Sequence, residues 1–182
     1  RDVSVYDKNS SLKYITSCIT PSARMPGKER GCEIAIRLFF MGMAKLLSNV
    51  HTPMRFDENA GMLLLIDPEG AYKTSFFKSL LPHALNEQCV LTVQGLTKNV
   101  ASKAMRDVYR YLANSGIVIF DEFDSLPKDF LQAEMKKLIS GNTIEFTEIY
   151  QKTAVKLPRA AAIGGTTNSD RIIMSDFGNR RL

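Results

Sequence analysis

The amino-acid sequence predicts an α/β fold in which a parallel sheet is flanked by helices, and three observations support this prediction. First, the apolar run at 117–120 ends abruptly in two carboxylates, Asp121 and Glu122. An uninterrupted apolar run of this kind is typical of a strand buried on both faces of a parallel sheet. Second, a similar run at 62–66 is followed by a glycine-containing loop. Third, strand-like and helix-like segments alternate from residue 61 onward, as in a parallel sheet with helices on both faces.

We expect two parts along the chain: a helical segment and linker over 1–55, and an α/β core over 56–182. Of the 182 residues, 45% are apolar, which is ample for one hydrophobic core. Residues 30–50 are predicted to form one helix that is apolar around much of its circumference, which predicts burial. Its apolar side chains include Ile34, Leu38, Met41 and Leu46. The apolar stretch at 38–45 is too short to span a bilayer, so no membrane association is expected.

Within the core, strands are predicted at 62–66, 89–93, 117–120 and 160–166. Helices are predicted directly after the glycine-containing loop and, from apolar side chains at helical spacing, over 98–113 and 128–139. Segment 144–157 differs, because two short runs alternate polar and apolar residues around a polar tip. This pattern is typical of a β-hairpin, here placed just before the last predicted strand. Such a hairpin can also be a purely structural addition to a sheet edge.

The composition restricts the class of protein only broadly. A formal net charge of +5 is compatible with a polyanionic partner without identifying one. The three cysteines, Cys18, Cys32 and Cys89, are odd in number and lack metal-ligand spacing, which favours a reducing, cytoplasmic location. Because the chain stops at Leu182 in the middle of a motif, we expect it to be truncated at its C-terminal end.

The segment after the strand at 62–66 has the features of a phosphate-binding loop. Strand, glycine-containing loop, Lys-Thr pair and helix follow one another in the order that such a loop requires. Backbone N–H groups of the loop would bind phosphate oxygens. Lys73 would neutralise the β- and γ-phosphates of ATP, and the Thr74 hydroxyl would bind Mg²⁺. The residues predicted to contact the nucleotide are Gly70, Ala71, Tyr72, Lys73, Thr74 and Ser75.

This loop departs from the usual pattern at two positions. Glycine is expected where Asp67 and Tyr72 stand, and Gly70 alone is retained. Since glycine tolerates unusual φ/ψ angles and close approach of the backbone, Tyr72 is expected to strain the loop or to place its ring near the nucleotide. The Asp67 side chain is expected to turn away from the phosphates. These departures leave open a module that binds nucleotide without hydrolysing it, or that binds none.

The two carboxylates after the strand at 117–120 complete the predicted site. The carboxyl ends of parallel strands form the rim where such sheets bind ligands. Asp121 would hold Mg²⁺, directly or through water, and Glu122 would polarise the attacking water. A core strand that runs into a charged turn is the plain structural alternative. The presence of the lysine-containing loop upstream favours the nucleotide site.

Further polar groups follow in the C-terminal part. If the strand at 160–166 lies beside that at 117–120, Asn168 reaches the same rim, where its amide could orient the hydrolytic water. Arg180 and Arg181 follow a glycine turn, and arginine can stabilise the charge that develops on a transferring phosphoryl group. An asparagine cap or turn and solvated surface arginines are the alternatives.

The ordered set of motifs resembles the virulence-associated E (VirE/VapE-like) family of P-loop ATPases, which is related to superfamily-3 helicases and AAA+ proteins. The resemblance is most specific from Phe146 to Asn168 and at Gly178–Arg181. It implies a P-loop NTPase fold of the AAA+/superfamily-3 helicase type, with a β-hairpin insertion before the sensor strand. It also implies a DNA helicase or replication initiator of a phage or mobile element that assembles into a hexamer around DNA.

The same resemblance implies a role for each remaining motif. Asn168 corresponds to the sensor asparagine, and either Arg180 or Arg181 to the arginine finger that acts on a neighbouring subunit's nucleotide. The hairpin around Tyr150 and Lys152 corresponds to the loop that projects into the central channel, where Lys152 can bind phosphate and Tyr150 can stack on a base or sugar. We therefore expect an ATP- and Mg²⁺-dependent DNA motor. An AAA+-type ATPase that remodels proteins remains the alternative.

Overall fold

The computed structural model describes residues 29–49, 61–81, 83–85, 90–93, 101–126, 134–141, 143–147 and 153–169. Within these ranges the strands are β1 (Met62–Ile66), β2 (Val90–Val93), β3 (Ile117–Phe120), β4 (Thr143–Thr147), β5 (Ala154–Pro158) and β6 (Ala162–Thr167). The helices that concern the site and the core are α1 (Glu29–Asn49), α2 (Lys73–Ser79), α3 (Ala101–Asn114) and α4 (Lys136–Ser140), and a 3₁₀ turn spans Phe123–Ser125.

Four of the strands form one parallel sheet in the order β1-β6-β3-β2. A row of paired residues crosses it from Met62 through Ile163 and Val118 to Leu91. Strand β6, although last in the chain, therefore lies between β1 and β3, and the carboxyl ends of these three strands meet at one edge. The predicted parallel α/β sheet is confirmed, with strand bounds within two residues of those predicted.

Helices cover both faces of the sheet, as predicted. On one face, Ile119 of β3 belongs to a buried cluster with Phe39 of α1 and Phe77 of α2. The two rings meet edge to face, with centroids 6.0 Å apart. On the other face, Val118 belongs to a larger cluster with Leu112 of α3. Successive side chains of a strand point to opposite faces of the sheet. Because helices cover both faces, all four residues of β3 are buried.

Helix α1 is buried on one side only. Ile36 and Leu46 are buried, and this side contacts β1 and β6. In contrast, Ile34, Leu38 and Met41 are 49%, 61% and 55% exposed. The prediction of burial around much of the circumference is therefore wrong at these three positions. Their spacing of four and three residues places them along one stripe, which no described element covers.

Strands β4 and β5 form the predicted hairpin, which pairs antiparallel. Its inner face packs on α3 through the buried side chains of Ile144 and Phe146. The Phe146 ring stacks on that of Tyr109, with centroids 6.3 Å apart. The Tyr109 hydroxyl donates a hydrogen bond to Glu134 at 3.2 Å. Burial, with a smaller contribution from the Glu134 carboxylate, raises the pKa of Tyr109 to about 12.

A buried segment joins the hairpin to β6. The Arg159 side chain is 1% exposed, and its guanidinium donates hydrogen bonds to the backbone carbonyl oxygens of Leu138 and Ile139. The next two backbone amides both donate to the carbonyl oxygen of Leu112 at the end of α3. Burial lowers the pKa of Arg159 to about 10, so that the side chain stays charged at neutral pH. The base of the hairpin is therefore fixed to two helices.

Some predictions about the fold lie partly or wholly outside the described residues. The division between 1–55 and 56–182 falls in such a stretch, and of the helix predicted over 128–139 only the C-terminal part is described, ending in α4. No helix in the described ranges is long and apolar enough to cross a lipid bilayer.

Candidate functional site

A cleft of about 360 Å³ lies at the carboxyl edge of the sheet. It is lined by the loop after β1, the start of α2 and the ends of β3 and β6. The lining residues are Glu69, Gly70, Ala71, Tyr72, Lys73, Thr74, Ser75, Asp121, Glu122, Thr166, Thr167 and Asn168. All six residues predicted to contact a nucleotide are among them. The volume falls within the range of small-molecule sites, about 300–1,000 Å³.

The ammonium group of Lys73 joins the loop to the end of β6. Its Nζ donates to the backbone carbonyl oxygens of Asp67 and Pro68, at 2.6 and 2.9 Å, and to Oδ1 of Asn168 at 2.8 Å. Since a lysine ammonium carries three N–H donors, each has an acceptor here. Asn168 is 95 residues from Lys73 in the chain. Asn168 directly follows β6, which lies beside β3, and it lines the cleft, so the prediction that it reaches the same rim as Asp121 is confirmed.

The hydroxyl and carboxylate predicted to bind Mg²⁺ are in direct contact. Thr74 Oγ1 donates a hydrogen bond of 2.9 Å to Oδ1 of Asp121. The same carboxylate oxygen accepts a hydrogen bond from the hydroxyl of Thr166. The start of α2 and the ends of β3 and β6 therefore meet at one oxygen atom. The lysine-containing loop and the acidic strand end, far apart in sequence, converge on one cleft.

The loop adopts conformations that favour glycine at two positions. Gly70 has φ 83°. Tyr72 has φ 55° and ψ 25°, in the left-handed region, and its side chain is 81% exposed. A residue with a Cβ atom pays about 1–2 kcal/mol for this conformation. The backbone carbonyl of Tyr72 nevertheless accepts the amide of Phe76 at 2.9 Å, which begins the first turn of α2. Of the two expectations for Tyr72, the left-handed backbone agrees with a strained loop, and the position of the ring relative to a nucleotide stays a prediction.

Asp67 stands apart from the cleft, although its backbone belongs to the loop. The residue is exposed and does not line the cleft. Its carbonyl oxygen accepts from Lys73, and its amide donates to the carbonyl oxygen of Thr167 at 3.3 Å. Asp67 therefore contributes to the loop through its backbone groups, in agreement with the expectation that its side chain turns away from the phosphates.

Glu122 also has a left-handed backbone, with φ 51° and ψ 53°. Its side chain is exposed, and its amide donates to Oγ1 of Thr166 at 3.3 Å. Left-handed residues other than glycine are uncommon and concentrate at functional sites. The hydroxyl of the following threonine, Thr167, donates a hydrogen bond to Asp124 Oδ1 at 3.1 Å and accepts one from the backbone amide of Ser169.

Sequence reasoning noted Thr166 and Thr167 only as the hydroxyl end of a family-like strand and gave them no role, and it did not name Asp124. The available signal was two consecutive hydroxyl residues at the carboxyl end of a strand of small residues. The hydroxyls bond to the turn after β3 because β6 pairs directly with β3. Four predicted site residues lie outside the described residues and stay predictions: Tyr150, Lys152, Arg180 and Arg181.

The charges in the cleft suit a polyanion better when a divalent cation accompanies it. Among the described lining residues, Lys73 is the cation and Glu69, Asp121 and Glu122 are the acids. The three carboxylates oppose part of the attraction that Lys73 and the loop amides offer a triphosphate, and a metal ion would offset this repulsion. Magnesium takes oxygen ligands, commonly one or two carboxylates together with phosphates and waters. The paired oxygens of Thr74 and Asp121 fit this requirement.

The fold and the cleft thus define an α/β domain with lysine, hydroxyl and carboxylate groups at the carboxyl edge of a parallel sheet. The chain belongs to the virulence-associated protein E-like domain family, whose model matches residues 27–182. The resemblance predicted from the motifs is confirmed.

No curated protein matches the chain. Among solved structures it is similar to the crystal structure of NtrX from Brucella abortus in complex with ATP, with 15% sequence identity and a TM-score of 0.46. The similarity covers 94% of this chain and 39% of the NtrX chain, so this chain spans well under half of that protein's length.

Proposed function

We propose that this domain is the ATPase core of a DNA helicase or replication initiator of a phage or mobile element. It hydrolyses ATP, with Mg²⁺, between the subunits of a hexamer. The observation that carries the proposal is the convergence of Lys73 with Asn168 and of Thr74 with Asp121 in one cleft. A core strand with a merely charged turn requires none of these contacts.

The strand order supports a P-loop NTPase fold. Because β6 lies between β1 and β3, the phosphate loop, the sensor asparagine and the acidic pair come from three adjacent strand ends. Ligands of open α/β sheets bind at this edge. Such a site requires the carboxyl ends of all three strands at the same rim of the sheet, and β1, β6 and β3 end there.

Lys73 binds the β- and γ-phosphates in the proposed reaction. In the described structure its ammonium is held by two loop carbonyls and by Asn168. A phosphate oxygen is a stronger, charged acceptor, so it can replace at least one of these partners. Asn168 would then lose or change its contact with Lys73 when the γ-phosphate is present, which is how it would report hydrolysis.

Thr74 and Asp121 would hold Mg²⁺, and Glu122 would activate water. Bound magnesium would neutralise charge on the phosphates during transfer. The exposed Glu122 side chain lines the cleft beside them, where a carboxylate can accept a proton from the attacking water. Arg180 or Arg181 of a neighbouring subunit would complete the site, as the family resemblance implies.

Support for the DNA-binding part comes from the family and from the hairpin. The base of the hairpin is anchored by the stacked rings of Phe146 and Tyr109 and by the buried Arg159. As the family resemblance implies, the tip would carry Tyr150 and Lys152, and movement of the hairpin would move a bound strand. Contacts of this kind bind phosphates and stack on bases without reading sequence, so binding weakens steeply with salt.

The test of the ATPase part is steady-state hydrolysis by the intact protein. Lys73→Ala and Glu122→Gln should abolish turnover, whereas Lys78→Ala should not, because Lys78 is exposed on α2 and does not line the cleft. Equal activity of Lys73→Ala and Lys78→Ala would refute the assignment.

The test of the DNA part is binding of single-stranded oligonucleotides at increasing salt. Lys152→Ala should weaken binding and reduce the salt dependence, because it removes a phosphate contact. The matched control is Lys156→Ala on β5, an exposed lysine that pairs across the hairpin with Glu145. Unchanged DNA binding by Lys152→Ala would favour the remodelling of proteins, in which the hairpin contacts polypeptide.

One observation favours a second candidate, a module that binds nucleotide without hydrolysing it. Tyr72 places a strained backbone and an exposed ring directly before Lys73, where a phosphate loop normally has glycine. Tight binding of ATP without turnover, both in the wild type and in Tyr72→Gly, would establish this alternative.

A further inference from the structure

Thr166 occupies a central place in the cleft. Within β6, Thr166 pairs with Leu65 of the neighbouring strand β1. The preceding residue, Gly165, pairs with Phe120 of β3, so Thr166 is level with the first residue beyond that strand, Asp121. Its side chain is 2% exposed. A hydroxyl is therefore buried at the point where the acidic turn leaves the sheet.

The hydroxyl of Thr166 contacts both acidic residues of the proposed site. It donates its proton to Oδ1 of Asp121 and accepts the backbone amide of Glu122 at 3.3 Å. A hydroxyl has one proton to donate and two lone pairs, so a single group supplies both bonds. The carboxylate oxygen that it contacts is the one that also accepts Thr74 Oγ1 at 2.9 Å.

We propose that Thr166 is a positioning residue that orients Asp121 toward Mg²⁺ and holds Glu122 in its left-handed backbone conformation. The inference rests on the proposed function, since it concerns the same site. Thr166 acts through the two acids: through a side chain in one case and through a backbone amide in the other.

The backbone of Glu122 explains why such support is needed. Left-handed conformations are unfavourable for a residue that carries a Cβ atom, and they persist where the surrounding structure holds them. The bond from the Glu122 amide to Thr166 is one such restraint. Without the hydroxyl, the turn can relax and carry the glutamate away from the cleft.

The neighbouring threonine provides a contrast. The hydroxyl of Thr167 contacts Asp124 and the backbone of Ser169, a local arrangement at the strand end. The partners of Thr166, in contrast, are the two acids that the proposed reaction uses. Its hydroxyl therefore links strand β6, which leads to Asn168, with the metal-binding and water-activating groups after β3.

The test replaces the hydroxyl and restores it. Thr166→Val removes the hydroxyl and keeps the branched shape, Thr166→Ser retains the hydroxyl, and Thr92→Val removes a half-buried threonine hydroxyl from β2, outside the cleft. For each intact protein, the affinity for a fluorescent ADP analogue is measured in EDTA and in Mg²⁺. The rate of ATP hydrolysis is measured alongside.

We expect Thr166→Val to bind the ADP analogue in EDTA as the wild type does, because Lys73 and the loop are unchanged. The gain in affinity that Mg²⁺ provides should fall about 10-fold and kcat about 10- to 100-fold, as when a residue that orients a metal ligand is removed. Thr166→Ser should restore both quantities, and Thr92→Val should leave both unchanged.

Other outcomes overturn the inference in distinguishable ways. If Thr166→Val loses binding in EDTA as well, or if Thr166→Ser does not restore the magnesium effect, Thr166 has a general structural role. If Thr166→Val behaves like Thr92→Val, the inference fails while the proposed function stands. If the wild type neither binds the analogue nor hydrolyses ATP, the proposed function fails and this inference with it.

Discussion

The left-handed backbone of Tyr72 predicts an inverted order of stability between glycine and alanine substitutions. At an ordinary helical position, alanine is more stable than glycine by about 0.5–1 kcal/mol, because glycine loses more conformational freedom on folding. At position 72, with φ 55°, any residue with a Cβ atom is strained. We therefore compare Tyr72→Gly with Tyr72→Ala.

The expected difference follows from two opposing contributions. Relief of the left-handed strain favours glycine by about 1–2 kcal/mol. The greater freedom of the unfolded chain disfavours glycine by about 0.4–1 kcal/mol. Both variants lose the same ring, which is 81% exposed, so the ring cancels in the comparison. Tyr72→Gly should therefore be more stable than Tyr72→Ala by about 0.8 kcal/mol, the difference between the midpoints of these two ranges.

The assay is urea unfolding of both variants, with Lys78→Gly and Lys78→Ala as the matched pair. Lys78 is an exposed residue within α2, where alanine should be the more stable. The transition midpoints should thus change order between positions 72 and 78 at a common m-value. If Tyr72→Ala proves as stable as Tyr72→Gly or more so, the loop does not hold the conformation of a glycine-rich phosphate loop.

Three further predictions concern the core and the hairpin. Gly164→Ala should lower the free energy of unfolding by about 1–3 kcal/mol in urea, because its Cβ would lie 2.6 Å from a phenylalanine ring of α2. The control Gly31→Ala should not destabilise the protein, because its Cβ would meet no atom within 4 Å. Arg159→Met should lower the free energy of unfolding by about 1–3 kcal/mol, because two buried carbonyl groups lose the guanidinium donors. The surface variant Arg37→Met should lower it by about 1 kcal/mol or less, and equal effects of the two variants would contradict this. The pKa of Tyr109 is raised from 10.0 to about 12, so its contribution to the stability of the fold is complete below pH 10 and is lost as the pH rises toward 12. In a series of unfolding midpoints measured against pH, Tyr109→Phe should therefore show a smaller decline over this range.

Much of the fold could be predicted because single segments carry strong signals. The run at 117–120 is wholly apolar, and a strand buried on both faces requires this. Alternation within 144–157 predicted the hairpin, which pairs 143–147 with 154–158 in the structure. The exposed stripe of α1 was not predictable, since periodicity shows which residues share a face and does not show whether another element covers it.

The site could be predicted where the chemistry is written in one motif. Lysine and threonine after a loop, and two acids after a strand, predicted residues that the structure brings together in one cleft. Their roles toward phosphate and metal stay predictions. Glycine's role in such loops also predicted strain at Tyr72. No role was predicted for Thr166, because its partners follow from the insertion of β6 between β1 and β3. The order of strands in a sheet is a property of the whole chain and is not encoded in any one segment.

The most direct test of the central claim is a structure of the intact protein with Mg²⁺ and a non-hydrolysable ATP analogue. The account predicts the triphosphate in the cleft after β1, with Lys73 on its phosphates and the metal ion between those phosphates and the oxygens of Thr74 and Asp121. A nucleotide bound elsewhere on the domain, with Lys73 still held by the carbonyl groups of its own loop, would contradict it.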